Sequence, residues 1–174
     1  MSDPSAEQVI ERLALRPHPE GGFYRETYRA ADVIGAEALP GRFRGDRTCS
    51  TAIHFLLRGE QFTALHRLRS DELWHFYLGA PLEIVEISTD GSLAVTRLGP
   101  DLPAGESPQA VVPAGHWFGA RLAEPGPGAF ALAGCTVAPG FDFADLEMGR
   151  RDRLIDAYPQ HEAVIRALTR PVES

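Results

Sequence analysis

Between Gly22 and about Ala138, apolar and polar residues alternate in short runs, and Gly or Pro interrupts them every eight to twelve residues. Nine stretches fit a strand: FYRETYR (23–29), TCSTAIHFLL (48–57), FTALHRL (62–68), ELWHFYL (72–78), LEIVEIS (82–88), LAVTRL (93–98), QAVVP (109–113), HWFGARL (116–122) and AFALAGCTV (129–137). Short strands at even spacing predict an all-β sandwich or barrel. TDGS (89–92) predicts a tight hairpin, because Asp-Gly supplies the positive φ angles such turns need. On either side the period becomes helical. Ser5 and Gln8 form a capping box ahead of Val9, Ile10, Leu13 and Leu15, predicting a helix over 5–15 that Pro17 and Pro19 stop. Leu154 and Ile155, then Pro159 at a first-turn position, then Val164, Ile165 and Leu168 predict two short helices packed outside the β core. Residues 31–47 and 99–108 read as long polar loops.

At 174 residues the chain is expected to form one domain (1–174) with a barrel core at about 22–140. Acidic residues outnumber basic ones 24 to 17, for a net charge of −7, so no long-range attraction to nucleic acid or anionic lipid is expected. The one tight basic cluster is Arg42, Arg44 and Arg47. MSDPSAEQVIERL has no basic region followed by an apolar run, and nothing approaches 18 consecutive apolar residues, so neither a signal peptide nor a membrane span is expected. Cys49 and Cys135 form no motif and read as buried free thiols in a reducing, cytoplasmic setting.

Candidate chemistry concentrates in HRLRSDELWHFYLG (66–79). Strand side chains alternate faces. Phe62, Ala64, His66 and Leu68 therefore share one face, and Glu72, Trp74, Phe76 and Leu78 another, with Leu73, His75 and Tyr77 opposite. A carboxylate among large apolar groups needs a partner, so His66 and Glu72 are expected to face each other inside the barrel. In FYRETYR, Tyr24, Glu26 and Tyr28 share one face, and Arg25 and Thr27 the other. His18 and His161 read as solvent-exposed, and His54 as a polar substitution in an apolar strand.

His66, Glu72 and Gly79, preceded by Gly59, resemble the first cupin motif, and Pro113-Ala114-Gly115 resembles the turn of the second. HPEGGFYRETYR (18–29), STAIHFLL (50–57), VVPAGHWFGA (111–120) and GCTVAPGFDFADLE (134–147) extend the likeness to the DUF985 subfamily of cupins, from about residue 7 to about 150. The resemblance implies a double-stranded β-helix, or jelly-roll, barrel with a short N-terminal helix, C-terminal helices outside, a small-molecule ligand, and a homodimer paired through barrel edges. It also implies metal ligands, but two of the usual four positions carry Leu68 and Phe118. His66, Glu72 and His116 would then be an incomplete set, so no cofactor is expected, with a divalent transition metal as the alternative.

The resemblance extends to sugar epimerases of the cupin fold, which work without metal. By that analogy His66 is the base, Glu72 orients its ring, and Tyr24 or Tyr77 returns a proton. Arg25, Glu26, Trp74, His75, Phe76, His116 and Phe118 are the candidate ligand contacts. A non-catalytic small-molecule binding module and a metal-dependent cupin enzyme stay open beside this isomerase-like reading, as does a barrel with a filled interior.

Overall fold

The computed structural model describes residues 4–171, so the first three residues of the N-terminal stretch and residues 172–174 lie outside it. All nine expected stretches contribute strands. A six-stranded sheet runs β1 (Arg16–Pro17), β2 (Phe23–Arg29), β5 (Thr51–Arg58), β12 (Phe130–Ala138), β7 (Asp71–Gly79), β10 (Gln109–Val112). A five-stranded sheet runs β13 (Glu147–Met148), β6 (His66–Arg67), β11 (Trp117–Leu122), β8 (Leu82–Ile87), β9 (Leu93–Leu98). Every strand pair is antiparallel. The expected loop 31–47 is tied at its ends by a small sheet of β3 (Val33–Ile34) and β4 (Arg47–Thr48). This is an all-β fold, as the strand spacing predicts, in the jelly-roll form that the resemblance implies.

The inner faces meet in a core that includes Phe55, Leu57, Trp74, Leu82, Ile84, Phe118, Leu122 and Val137. Helix α1 (Ala6–Arg12) begins at the predicted box, with Gln8 N–H donating to Ser5 Oγ and Ser5 N–H to Gln8 Oε1. It covers Leu56, Phe130 and Leu132 on the outer side of the larger sheet. Helices α2 (Arg151–Ala157) and α3 (Glu162–Ala167) bring Leu154, Ile165 and Leu168 onto Leu65, Val85, Ile87 and Trp117, outside the smaller sheet. No described helix is long and apolar enough to cross a membrane.

Two bulges break the expected alternation of faces. In β7 the pairing with β12 slips between Phe76 and Leu78, so Leu78 turns outward onto the cluster beneath α1 and Tyr77 lies exposed over Gly134. In β2 the pairing with β5 slips between Glu26 and Tyr28, so Tyr28 faces solvent and Arg29 turns inward. An extra residue in one strand exchanges the faces of everything after it. FTALHRL departs further: only His66 and Arg67 form a strand, and Phe62 joins the helix-covered cluster instead of the barrel core. Cys49 is exposed, against expectation, whereas Cys135 is buried.

Candidate functional site

Between the sheets lies a cavity of about 150 Å³, roughly the space of a benzene-sized guest. Its lower wall is aromatic and apolar, with Phe55, Trp74 and Val137. The Trp74 indole N–H is the one buried polar side-chain atom without a partner among the described residues. The rim carries Arg16, Glu26, Arg29, Phe141 and Phe143. Two carboxyls, Glu20 and Glu72, project into this space beside the Cys135 thiol.

Glu20 arrives by way of the turn His18–Gly22. Gly21 and Gly22 have φ of +119° and +75°, and a Cβ would meet Phe62 O at 2.2 Å or Leu56 O at 2.7 Å. Only glycine fits both the angle and the space. The Glu20 carbonyl accepts from Ala64 N–H at 2.9 Å and from Arg170 Nη2 at 3.0 Å, which locks the turn down and aims the side chain inward.

His66 lies beneath the cavity, fully buried. Its Nδ1 faces Ala64 O at 2.8 Å and its Nε2 faces Glu20 Oε2 at 3.2 Å. A carbonyl can only accept, so Nδ1 carries the proton of a neutral ring and Nε2 is left to accept from Glu20. The contact has the geometry of an ion pair, yet burial disfavours both charges: it lowers His66 and pushes Glu20 up to about 8. We therefore read it as a neutral carboxyl donating to a neutral imidazole. Burial raises Glu72 to about 7, less than Glu20, because His66 and a hydrogen bond from the Cys135 thiol offset part of the cost. His18 Nδ1 accepts from Glu20 N–H at 3.2 Å, and burial together with His66 pushes that ring down to about 4.

These shifts carry a stability prediction. Both carboxyls ionise near 4.5 in the unfolded chain and at about 7 and 8 in the fold. Across that interval the fold holds the extra protons, so stability falls as pH rises. The histidines act in the opposite sense: below their unfolded value of 6.5 the unfolded chain holds the extra protons, and stability rises with pH. The two effects offset between about pH 4.5 and 6.5, and above that only the carboxyls remain. Urea unfolding should show a loss of about 2–3 kcal/mol between pH 6.5 and 8. The loss should flatten when Glu20 and Glu72 are both replaced by Gln. A rise over that window would show that the carboxyls are ionised.

The structure brings Tyr24, Glu26, Glu72 and Trp74 to the cavity wall, with His66 behind it. Other candidates lie elsewhere. Phe118 packs on the His66 ring at 4.1 Å, and Phe76 packs against the core beside the cavity. Arg25 faces the other side of β2 and donates to Leu13 O at 3.2 Å. His75 is on the outer face with Thr136 and Gln109, and Tyr77 is beside His54 there. His116 Nδ1 is 2.8 Å from Glu86 Oε1, and neither residue lines the cavity. His18 is not solvent-exposed as expected; its side chain is 6% accessible and its ring meets Tyr24 at 4.4 Å.

Sequence reasoning missed Glu20, Arg16, Arg29 and the cavity-facing Cys135. The signal for Glu20 was the Gly-Gly after it, which marks a positive-φ turn able to point the preceding side chain inward. The metal set expected of the cupin motif does not fit these residues. Positions 68 and 118 are apolar, His116 is paired away, both His66 nitrogens are engaged, and no three described His, Cys, Asp or Glu side chains converge as a centre.

Residues 7–149 match the family described as Cupin superfamily (DUF985). A crystal structure of protein SO0799 from Shewanella oneidensis is 40% identical, with 97% of this chain and 99% of that one covered and a TM-score of 0.87. A hypothetical protein from Leishmania major is 36% identical, covering 95% and 99%, with a TM-score of 0.86. An uncharacterised protein of Saccharomyces cerevisiae is 28% identical over 148 residues, 81% of this chain and 73% of its own.

Proposed function

This chain belongs to the DUF985 family of the cupin superfamily, and from that premise we propose that its barrel cavity binds a small hydroxylated carbonyl compound and moves a proton on it, as an isomerase or epimerase does. The observation that carries the reading is the pair of carboxyls, Glu20 and Glu72, in one buried cavity over a neutral histidine. Two carboxyls whose surroundings set their proton affinities apart divide acid and base roles between them. Glu72, the more easily ionised, takes the proton from the carbon next to the carbonyl. Glu20, still protonated, turns its O–H from His66 Nε2 to the carbonyl oxygen and gives up the proton there, leaving an enediol. Return of a proton to the neighbouring carbon, or to the other face of the same one, completes the change. The enediol hydroxyl that becomes the carbonyl gives its proton back to Glu20, with water restoring Tyr24 and Glu72 where Tyr24 is the donor. Tyr24, whose hydroxyl accepts from Arg16 Nη2 at 3.1 Å, is the donor at the mouth.

His66 is thereby a positioning residue, not the base, because it does not line the cavity and its Nε2 faces Glu20. The size of the space limits the guest to roughly six to ten non-hydrogen atoms inside the barrel, so a nucleotide attached to a sugar would have to remain outside the rim. The aromatic walls also suit a binding module without turnover.

The test is proton NMR of the full chain in D2O with a panel of small aldoses, ketoses, hydroxy acids and keto acids. Loss of a C–H signal next to a carbonyl supports the proton-transfer reading. Thermal stabilisation by a panel member without exchange supports the binding module. Neither response across the panel would remove the cavity as the functional site for this class of compound.

A further inference from the structure

We propose that a groove beside the cavity, formed by Arg42, Arg44, Arg67 and Arg69, is a binding site for the phosphate group of a small phosphorylated compound. The groove holds about 580 Å³ and is separated from the cavity by Leu68, which lines both. Its other wall is the segment Ala144–Glu147. The cluster brings the sequence's one basic run together with Arg67 of β6 and Arg69 just beyond it.

Three of the four arginines are held in place rather than free in solvent. Arg42 Nε donates to Arg69 O at 2.6 Å, and Arg69 Nη1 donates in return to Arg42 O. This reciprocal clasp fixes two like charges beside each other, against their repulsion. Arg67 lies over the Trp117 ring, 4.5 Å from its centroid, and pairs with Glu147 at 2.7 Å. Arg44 has no side-chain partner among the described residues. The only carboxylates in the lining are Glu147 and Asp145. Asp145 is held by Arg47 through two bonds of 2.6 Å, with Arg69 Nε at 3.5 Å.

Four guanidiniums against two carboxylates leave the lining two charges positive, on a chain whose net charge is −7. Planar guanidiniums donate in a fork that matches phosphate oxygens, and pre-set ones lose little freedom on binding. A tetrahedral dianion can accept from more than two of them at once. The acidic remainder of the surface opposes a long polyanion and admits a small one.

The experiment is calorimetric titration of the full chain with inorganic pyrophosphate at low salt. Saturable binding at one site per chain is expected, weakened roughly tenfold in Arg44→Ala and in Arg69→Ala, as the loss of a charged hydrogen bond implies. Arg16→Ala, at the cavity mouth, should leave the affinity unchanged. Arg44 has no hydrogen-bond or ion-pair partner among the described residues, so its variant reports on the ligand and not on folding. Absence of saturation, loss of binding in Arg16→Ala alone, or equal binding of sulfate and chloride at matched ionic strength would each overturn the proposal.

Discussion

Glu72→Gln is expected to slow the proposed proton exchange by about 100- to 10,000-fold, the usual contribution of a positioned general base. Gln keeps the shape and the hydrogen bonds of Glu72 but cannot take a proton from carbon. Because burial makes Glu72 costly to ionise, its replacement should at the same time leave the fold as stable or more so above neutral pH. That opposite movement of rate and stability separates a catalytic carboxyl from one that merely holds the barrel together. The wild-type pH profile should be bell-shaped, with limbs at about 7 and about 8 from Glu72 and Glu20. His66→Phe removes the acceptor of the Glu20 proton, so its upper limb should move to lower pH. Kinetics of exchange against pH, for the wild type and the two variants, measure all of this. An unchanged rate in Glu72→Gln would remove it from the mechanism.

Asp145→Ala should destabilise the fold by about 3 kcal/mol, the cost of leaving a covered charge without its partner. Arg47 and Asp145 are each 5% accessible and joined by two bonds of 2.6 Å. Removing Asp145 strands Arg47 and leaves Arg69 facing it. Arg47→Met should cost less, because Arg69 still lies 3.5 Å from Asp145. The double change to Arg47→Met and Asp145→Leu should recover part of the loss, since an apolar pair carries no desolvation penalty. Urea unfolding of the three variants measures the series, and equal losses in the two single variants would contradict the asymmetry. The pair has a bearing on the site as well. It fastens the strand after the 31–47 loop to the turn Phe143–Asp145, and Phe143 stands at the rim of the cavity.

Much of the fold was legible because its causes are local. Asp90-Gly91 makes its turn, Ser5 and Gln8 cap their helix, and the apolar parity of LEIVEIS and HWFGARL puts the right faces into the two clusters. Parity failed at Leu78 and Tyr28, each the first residue past a bulge, because a bulge depends on the register of the partner strand and leaves no mark in its own alternation.

The site divides along the same line. His66 and Glu72 were readable as inward groups from strand parity and a recognisable motif spacing. Glu20 and His18 were not, because they sit on a turn whose direction is set by contacts with Ala64 and Arg170, 44 and 150 residues away in the chain. Their charge states were unreadable for a similar reason, since these depend on how completely distant segments exclude water. The arginine groove shows both cases: Arg42 and Arg44 stand out as a basic run, whereas their meeting with Arg67 and Arg69 exists only in the folded chain. Sequence by itself determined the strand pattern, the class of fold and two of the site's polar groups, through short-range geometry. Tertiary structure alone decided which group lines the cavity and which lies behind it, because position and protonation there follow from contacts between residues remote in sequence.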